Sequence, residues 1–286
     1  MDLSIIILNY NGLSWIQNLL PNLKKNYLDK TAYQVEVVVV DNASTDGSQT
    51  FLATIDYIKC IHAKKNGGFA YGNNLAIKNT RARYVLLLNS DTELIENESS
   101  INLLLEYMDA HKEVAVVTPN LILSNGMPDK ACHRGEPTPW AGFCYFSGLE
   151  KWMGPSKIFG RYHLTNLPQN TIHEIEACSG AAMLVKNSVI QEVGLLDEQF
   201  FMYAEDIDWC KRIREKGYKV VFYPTVKIIH HKYRSGLANT EMRAKTNHWF
   251  YKTMLQYYDK HYKTQYPSCF RWLLKWTLKW KESIER

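Results

Sequence analysis

No apolar run in the 286 residues approaches the ~18 needed to cross a bilayer. The first residues carry no basic stretch ahead of a long apolar one, so no secretory leader is predicted and a cytoplasmic location is expected. Cys60, Cys132, Cys144, Cys178, Cys210 and Cys269 include no Cys-x-x-Cys pair. That spacing speaks for reduced thiols and against a disulfide framework or a zinc site. No internal repeat or low-complexity segment is visible. Apolar residues make up 46% and charged residues 22%, which excludes a disordered chain and predicts one large domain, with or without an appendage.

An excess of either charge is missing from most of the chain. Residues 238–286 hold 10 Lys/Arg against 4 Asp/Glu, a net of +6, while the other 237 residues hold 24 against 25. All the excess positive charge therefore sits in the tail, which predicts an acidic partner surface there. Around it, the tail residues Phe270, Leu273, Leu274, Trp276, Leu278 and Trp280 fall on a broad helical arc, with Arg271, Lys275 and Lys279 recurring on the other side. Such a helix suits peripheral membrane contact through residues 266–286. Packing on the domain, or on a second copy in a homodimer, is the alternative. Nucleic acid is not expected, because no recognition motif accompanies the basic residues.

Strand and helix signals alternate from the start. Strands are predicted at 3–8, 35–40, 57–61, 84–88 and 114–117, with helices between them at 13–28, from 44 to about 53, after a turn at 66–68 through 78, and at 101–110. This order implies βαβ units and a mostly parallel sheet. The pattern dissolves over 121–175, a stretch rich in Gly, Pro and aromatic residues. Its aromatic load argues against disorder, and an acceptor pocket or structural padding are the two readings. Regularity returns with a strand at 181–185, helices at 188–193 and 204–216, and separate strands at 218–223 and 226–230. Helices follow 238, the segment 249–262 packing on the catalytic part.

Two predicted strands end in acidic residues. Four valines run into Asp41, and an apolar run ends at Asn89-Ser90-Asp91. Ligands of open α/β sheets sit beyond such strand ends. Asp41 there can accept a hydrogen bond from a base or a ribose, or cap the next helix. Asp91 can hold Mg²⁺ or Mn²⁺ together with substrate phosphates, or cap a helix or turn. The first strand ends at Asn9-Tyr10-Asn11-Gly12 without the G-x-G-x-x-G of dinucleotide folds. Its ring can stack on a base while the amides bond the base edge, or it is an ordinary turn. Glu205-Asp206-Ile207-Asp208 opens a helix after an aromatic run. The helix dipole favours carboxylates there, and a catalytic base among them is the functional reading. His230-His231 ends the last strand, where a histidine is structural or completes a metal site.

Seven stretches taken in series resemble the inverting family 2 glycosyltransferases of GT-A fold, in particular their rhamnosyltransferase-like branch. They are SIIILNYNG, VVVVDNASTDGS, NGGFAYGNN, YVLLLNSDTEL, SGAAMLVKNSVI, GLLDEQFFMYAEDIDWCKRIREKGYKV and IIHH, covering residues 3–235. The resemblance implies a Rossmann-like α/β catalytic domain over 1–237, with a nucleotide half to about 118 and an acceptor half to 237, and a helical extension over 238–286. It implies that Tyr10 and Asp41 contact the base and ribose of a nucleotide diphosphate sugar (dTDP-, UDP- or GDP-linked). Asn66, Gly68 and Asn74 border that nucleotide, and Asn9, Asn89 and Ser90 join the same set. Asp91 matches the last carboxylate of the family's Asp-x-Asp metal motif, whose first Asp is replaced by Asn89. His230 matches a histidine that completes the metal shell. Asp206 matches the general base, with Glu205 beside it. The implied acceptor is a glycan or lipid-linked hydroxyl. No Q-x-x-R-W follows the base, so single addition is expected rather than polymerisation. A sugar nucleotidyltransferase, or a non-catalytic sugar-nucleotide-binding protein, is the competing class.

Overall fold

The computed structural model describes residues 1–232 and 240–284. In chain order the elements are β1 (Leu3–Asn9), α1 (Leu13–Leu23), β2 (Val35–Asp41), α2 (Ser48–Leu52), β3 (Lys59–His62), α3 (Gly68–Ile77), β4 (Tyr84–Asn89), β5 (Thr92–Leu94), α4 (Ile101–Ala110) and β6 (Val114–Leu123). They continue with α5 (Pro139–Ser147), α6 (Leu149–Trp152), β7 (His173–Ile175), β8 (Ala182–Lys186), α7 (Asn187–Val193), α8 (Glu205–Glu215), β9 (Lys219–His230), α9 (Thr240–His261) and α10 (Ser268–Ile284). One sheet runs in the order β3-β2-β1-β4-β8-β6-β9-β5, with β7 also on β9.

The first half of the sheet is parallel, as the alternation of strands and helices implies. β1 pairs in parallel with both β2 and β4, and β2 with β3. β1 and β4 are buried along nearly their whole length, because helices cover both faces of a parallel sheet. Helix α1 lays Ile16, Leu19, Leu20 and Leu23 against that core at helical spacing. Beyond β4 the sheet is mixed: β8 runs antiparallel to β4 and β6, β6 and β9 are parallel, and β5 and β7 are antiparallel to β9.

Three expectations change. The strands expected at 218–223 and 226–230 are one, β9. Pro224 lacks a donor for the ladder, and the register with β6 jumps from Pro119↔Tyr223 to Asn120↔Lys227, a local irregularity rather than a break. The strand expected at 114–117 runs on to Leu123 along the same partner. The stretch 121–175 is ordered into α5, α6, β7 and a short turn of helix at Lys130–Cys132. The expected division at 237/238 and the end of the family resemblance at 235 lie outside the described residues, as do 285–286 at the end of the tail.

Helix α9 packs on the sheet domain with Tyr257 and Tyr258 in the core, joined there by Tyr262 just past its end. None of the described helices is long and apolar enough to cross a membrane.

Candidate active site

The carboxyl ends of three neighbouring parallel strands form the floor of the site. Asn9 on β1 pairs with Asp41 on β2, and Leu8 with Asn89 on β4. The loops above them are laced together. Ser44 Oγ accepts from the Asn11 N–H at 2.9 Å, Asn11 Oδ1 accepts from the Thr45 N–H at 2.8 Å, and Asp46 accepts from the Leu13 N–H at 2.8 Å. That bracing holds Tyr10 out of the fold, half exposed, with its ring available.

Asn9 and Asp41 are fully buried. Asp41 Oδ2 accepts from Gln49 Nε2 at 2.7 Å and from the Ser44 N–H at 3.1 Å, while Oδ1 has a single long bond of 3.3 Å from Asn9 Nδ2. Asn9 Oδ1 is buried without a partner. The open acceptor capacity at this strand end thus lies on Asp41 Oδ1 and Asn9 Oδ1.

Asn66, Gly68 and Asn74 organise the next loop rather than face outward. Asn66 Oδ1 accepts from Asn42 Nδ2 and the Gly68 N–H, both at 3.0 Å. Gly68 sits at φ +88°, and a Cβ there would meet the Phe201 carbonyl oxygen at 2.1 Å, so only glycine fits. Asn74 is buried and its amide group is committed to Leu196 and Glu198. These contacts tie α3 to the chain that leads into α8.

That chain ends in a strained corner. Tyr203 and Ala204 both hold positive φ, 70° and 66°, a conformation that costs on the order of 1–3 kcal/mol per non-glycine residue and clusters at functional sites. The corner turns Glu205 and Asp206 inward at the start of α8. Asp206 Oδ2 accepts from Arg134 Nη2 at 2.7 Å and from the Gly180 N–H at 3.2 Å; Oδ1 accepts from the Ile207 N–H at 2.7 Å. The next residue, Ala181, gives its carbonyl to the Asn89 N–H at 2.9 Å. Two consecutive residues therefore join Asp206 to the end of β4, two positions before Asp91.

Arg134 escaped the sequence reading. It is buried, donates also to the Cys178 carbonyl at 2.7 Å, and leaves Nε without a partner. Burial disfavours its charge, but the Asp206 carboxylate outweighs burial and holds the guanidinium protonated. Glu205 is buried with Oε2 unpartnered, and burial together with the Asp206 charge pushes its carboxyl well above the usual range. Asp208, the third carboxylate, faces away from this pair: it binds Arg212, Lys260 and His261 and fastens α9 to α8.

At the sheet's other end, Asp91 and His230 stand 3.4 Å apart, Oδ1 to Nε2. His230 Nδ1 lies 2.8 Å from Asp129 Oδ2, and Lys232 supports Asp129 at 3.1 Å. Asp129 is a second residue the sequence reading missed. Burial opposes the charge on His230, yet Asp129 and Asp91 hold its pKa at about 9. Burial likewise opposes ionisation of Asp129, and His230 and Lys232 reverse that, keeping it well below the carboxylate range.

His230 without a cation thus carries a proton on Nε2 toward Asp91, and a bound cation would take that proton's place while the Asp129 carboxylate keeps Nδ1–H, an arrangement common behind metal-binding histidines. Nε2 is aimed at Asp91, so the pair fits a divalent ion on two protein ligands, the rest being phosphate and water oxygens. Among the described residues no group of three or more His, Cys, Asp and Glu is arranged to hold a metal by itself. Beside the pair opens a cavity of about 430 Å³ lined by Trp15, Asn18, Asn22, Thr92, Glu93 and His231.

The family profile described as glycosyl transferase family 2 matches residues 4–190. The low-salt glycan biosynthesis hexosyltransferase Agl10 of Haloferax volcanii is 28% identical over 239 residues, covering 81% of this chain and 67% of Agl10. Rhamnosyltransferase WbbL of Escherichia coli (strain K12) is 25% identical over 268 residues, covering 88% of this chain and 91% of WbbL. Among solved structures, the mannosyltransferase PcManGT from Pyrobaculum calidifontis, in complex with GDP-Man and Mn²⁺, matches with a TM-score of 0.60 at 17% identity, covering 96% of this chain and 68% of that one. At that identity the likeness is one of fold. The chain spans about two thirds of Agl10 and of PcManGT, and less than half of another solved chain with this fold.

Proposed function

Because the chain belongs to glycosyl transferase family 2 and has the GT-A fold, we propose that this glycosyltransferase moves one hexosyl residue from a nucleoside diphosphate sugar to an acceptor hydroxyl with inversion. The donor is a dTDP-, UDP- or GDP-linked sugar, with rhamnose the first candidate. The acceptor is a glycan or lipid-linked saccharide in cell-surface polysaccharide synthesis, met at the inner face of the cell membrane. The observation that supports this reading is the chain of contacts from Asp206 through Gly180–Ala181 to Asn89 at the end of β4, beside the strand ends that carry Asn9 and Asp41.

The nucleotide lies across the ends of β1, β2 and β4. Tyr10 offers its ring to the base, and the acceptor positions of Asn9 and Asp41, covered in the free protein, take its N–H or a ribose hydroxyl once the ligand uncovers them. Asn89 and Ser90 border the sugar and diphosphate, and Asn66 and Gly68 shape the loop that closes over them. Asn74 acts from behind, by positioning residues 196–198.

Asp206 takes the proton of the acceptor hydroxyl while that oxygen attacks the anomeric carbon. The bond to the diphosphate breaks and its electron pair leaves with the nucleoside diphosphate. Arg134 and the Gly180 N–H hold Oδ2 of Asp206, and Oδ1, which accepts only from the Ile207 N–H, is the oxygen presented to the acceptor. Glu205, kept neutral by burial, spares the pocket a second negative charge. Asp91 and His230 are the residues that would hold Mg²⁺ or Mn²⁺. The chemistry supplied by that cation would be neutralisation of charge on the departing diphosphate.

A positioned base is worth on the order of 10²–10⁴-fold in rate. Asp206→Asn is expected to keep nucleotide affinity and lose turnover by that factor, measured as transfer or as slow donor hydrolysis, with Glu205→Gln as the comparison. Full turnover in Asp206→Asn would remove it as the base.

A further inference from the structure

The apolar arc of the tail divides into two faces in the folded chain. On one, Phe270 and Leu274 pack on the core and Leu278 is buried. Arg271 fastens the same side to Asp259 of α9 with bonds of 2.5 and 2.6 Å, and Glu282 reaches His248 at 3.0 Å. The other face holds Trp272, Trp276 and Trp280, spaced by four and therefore in line. They are 69%, 58% and 51% exposed, with Leu273 and Ile284 beside them, also exposed. Lys275 and Lys279 are exposed along one flank of this stripe.

Since α10 is already held by its inner face, folding does not account for the outer tryptophans. Aligned large apolar side chains rimmed by charge mark a contact surface. Tryptophan prefers the boundary between headgroups and acyl chains, and lysine the anionic lipid phosphates. We propose that the outer face of α10 docks on an anionic phospholipid bilayer, with Trp272, Trp276 and Trp280 at headgroup depth and Lys275 and Lys279 against the phosphates. The net charge of +6 over residues 238–286 complements that surface. A second copy of the chain fits less well, because an isologous contact brings two lysine-flanked stripes of like charge together. No described helix can cross the membrane, so the contact is peripheral. This surface is separate from the roles given to Asp206 and Asp91, and its failure would leave them untouched.

The full chain is incubated with vesicles of phosphatidylcholine alone or mixed with phosphatidylglycerol, and sedimented. The expected result is co-sedimentation with the anionic vesicles only, weakening with salt, and a blue shift of tryptophan emission. Trp272→Ser, Trp276→Ser and Trp280→Ser combined should leave the protein in the supernatant with its nucleotide-induced thermal shift intact. Lys275→Gln with Lys279→Gln should lower partitioning roughly 30-fold, and this pair decides the matter if the triple variant does not fold. Wild type that stays in the supernatant, or partitioning unchanged in the lysine variant, overturns the proposal. So does a dimer by light scattering that the triple variant converts to monomer while vesicles bind neither.

Discussion

Asp206 carries a buried guanidinium on one oxygen, and this contact fixes where its carboxylate points. Arg134→Gln is therefore expected to lower kcat of donor turnover about tenfold or more while leaving nucleotide affinity in place, because the base is no longer held in position. It also leaves a buried carboxylate uncompensated, which costs about 3–5 kcal/mol of stability. Arg134→Lys should recover kcat in part at equal nucleotide affinity, which a purely structural loss would not do. An unchanged kcat in a folded Arg134→Gln protein would separate the two residues functionally. The sequence nominated Asp206 from its position in the opening turn of a helix. Nothing in His133-Arg134-Gly135 marks the arginine, because its partner lies 72 residues away along the chain.

At the scale of elements, Glu136 is the knot between three segments. It follows the loop that carries Arg134, accepts from Lys211 and Arg214 on α8, and bonds Tyr262 just past α9. Burial opposes its ionisation, but these donors bring its pKa down to about 2, against roughly 4.3 for an unfolded glutamate. The stability from this pairing is present above about pH 4.3 and is lost as the pH falls towards 2. Glu136→Gln should lower the urea midpoint at neutral pH and flatten its fall in that acid window, with Asp208 still supplying part of the slope. A midpoint that tracks wild type from neutral to acid pH would show that the knot carries no net stability. Helices α1, α4 and α8 were legible because apolar spacing is local. The continuity of β9 through Pro224 was not, because the neighbouring strand, rather than the residue, decides whether a ladder resumes.

For the whole molecule, ligands bound at the strand ends should stabilise the fold. A nucleoside diphosphate binding the native state at a hundredfold excess over Kd adds about 2.7 kcal/mol. We expect the cognate one among dTDP, UDP and GDP to raise Tm, and Mn²⁺ or Mg²⁺ to enlarge the shift while EDTA removes the increment. Asp91→Asn should abolish the metal increment and keep part of the nucleotide shift. A panel in which no nucleotide moves Tm would count against the strand-end site.

The amino-acid sequence by itself determined the parallel half of the sheet, the acidic residues at its strand ends and the helical, basic tail, because burial alternation, turn chemistry and net charge are properties of neighbouring residues. The tertiary structure alone decided that Arg134 meets Asp206, that Asp129 backs His230 across 101 positions, and that α10 turns its tryptophans outward. Those outcomes depend on where the chain returns and on which face of a helix finds a partner, and no local spacing encodes either.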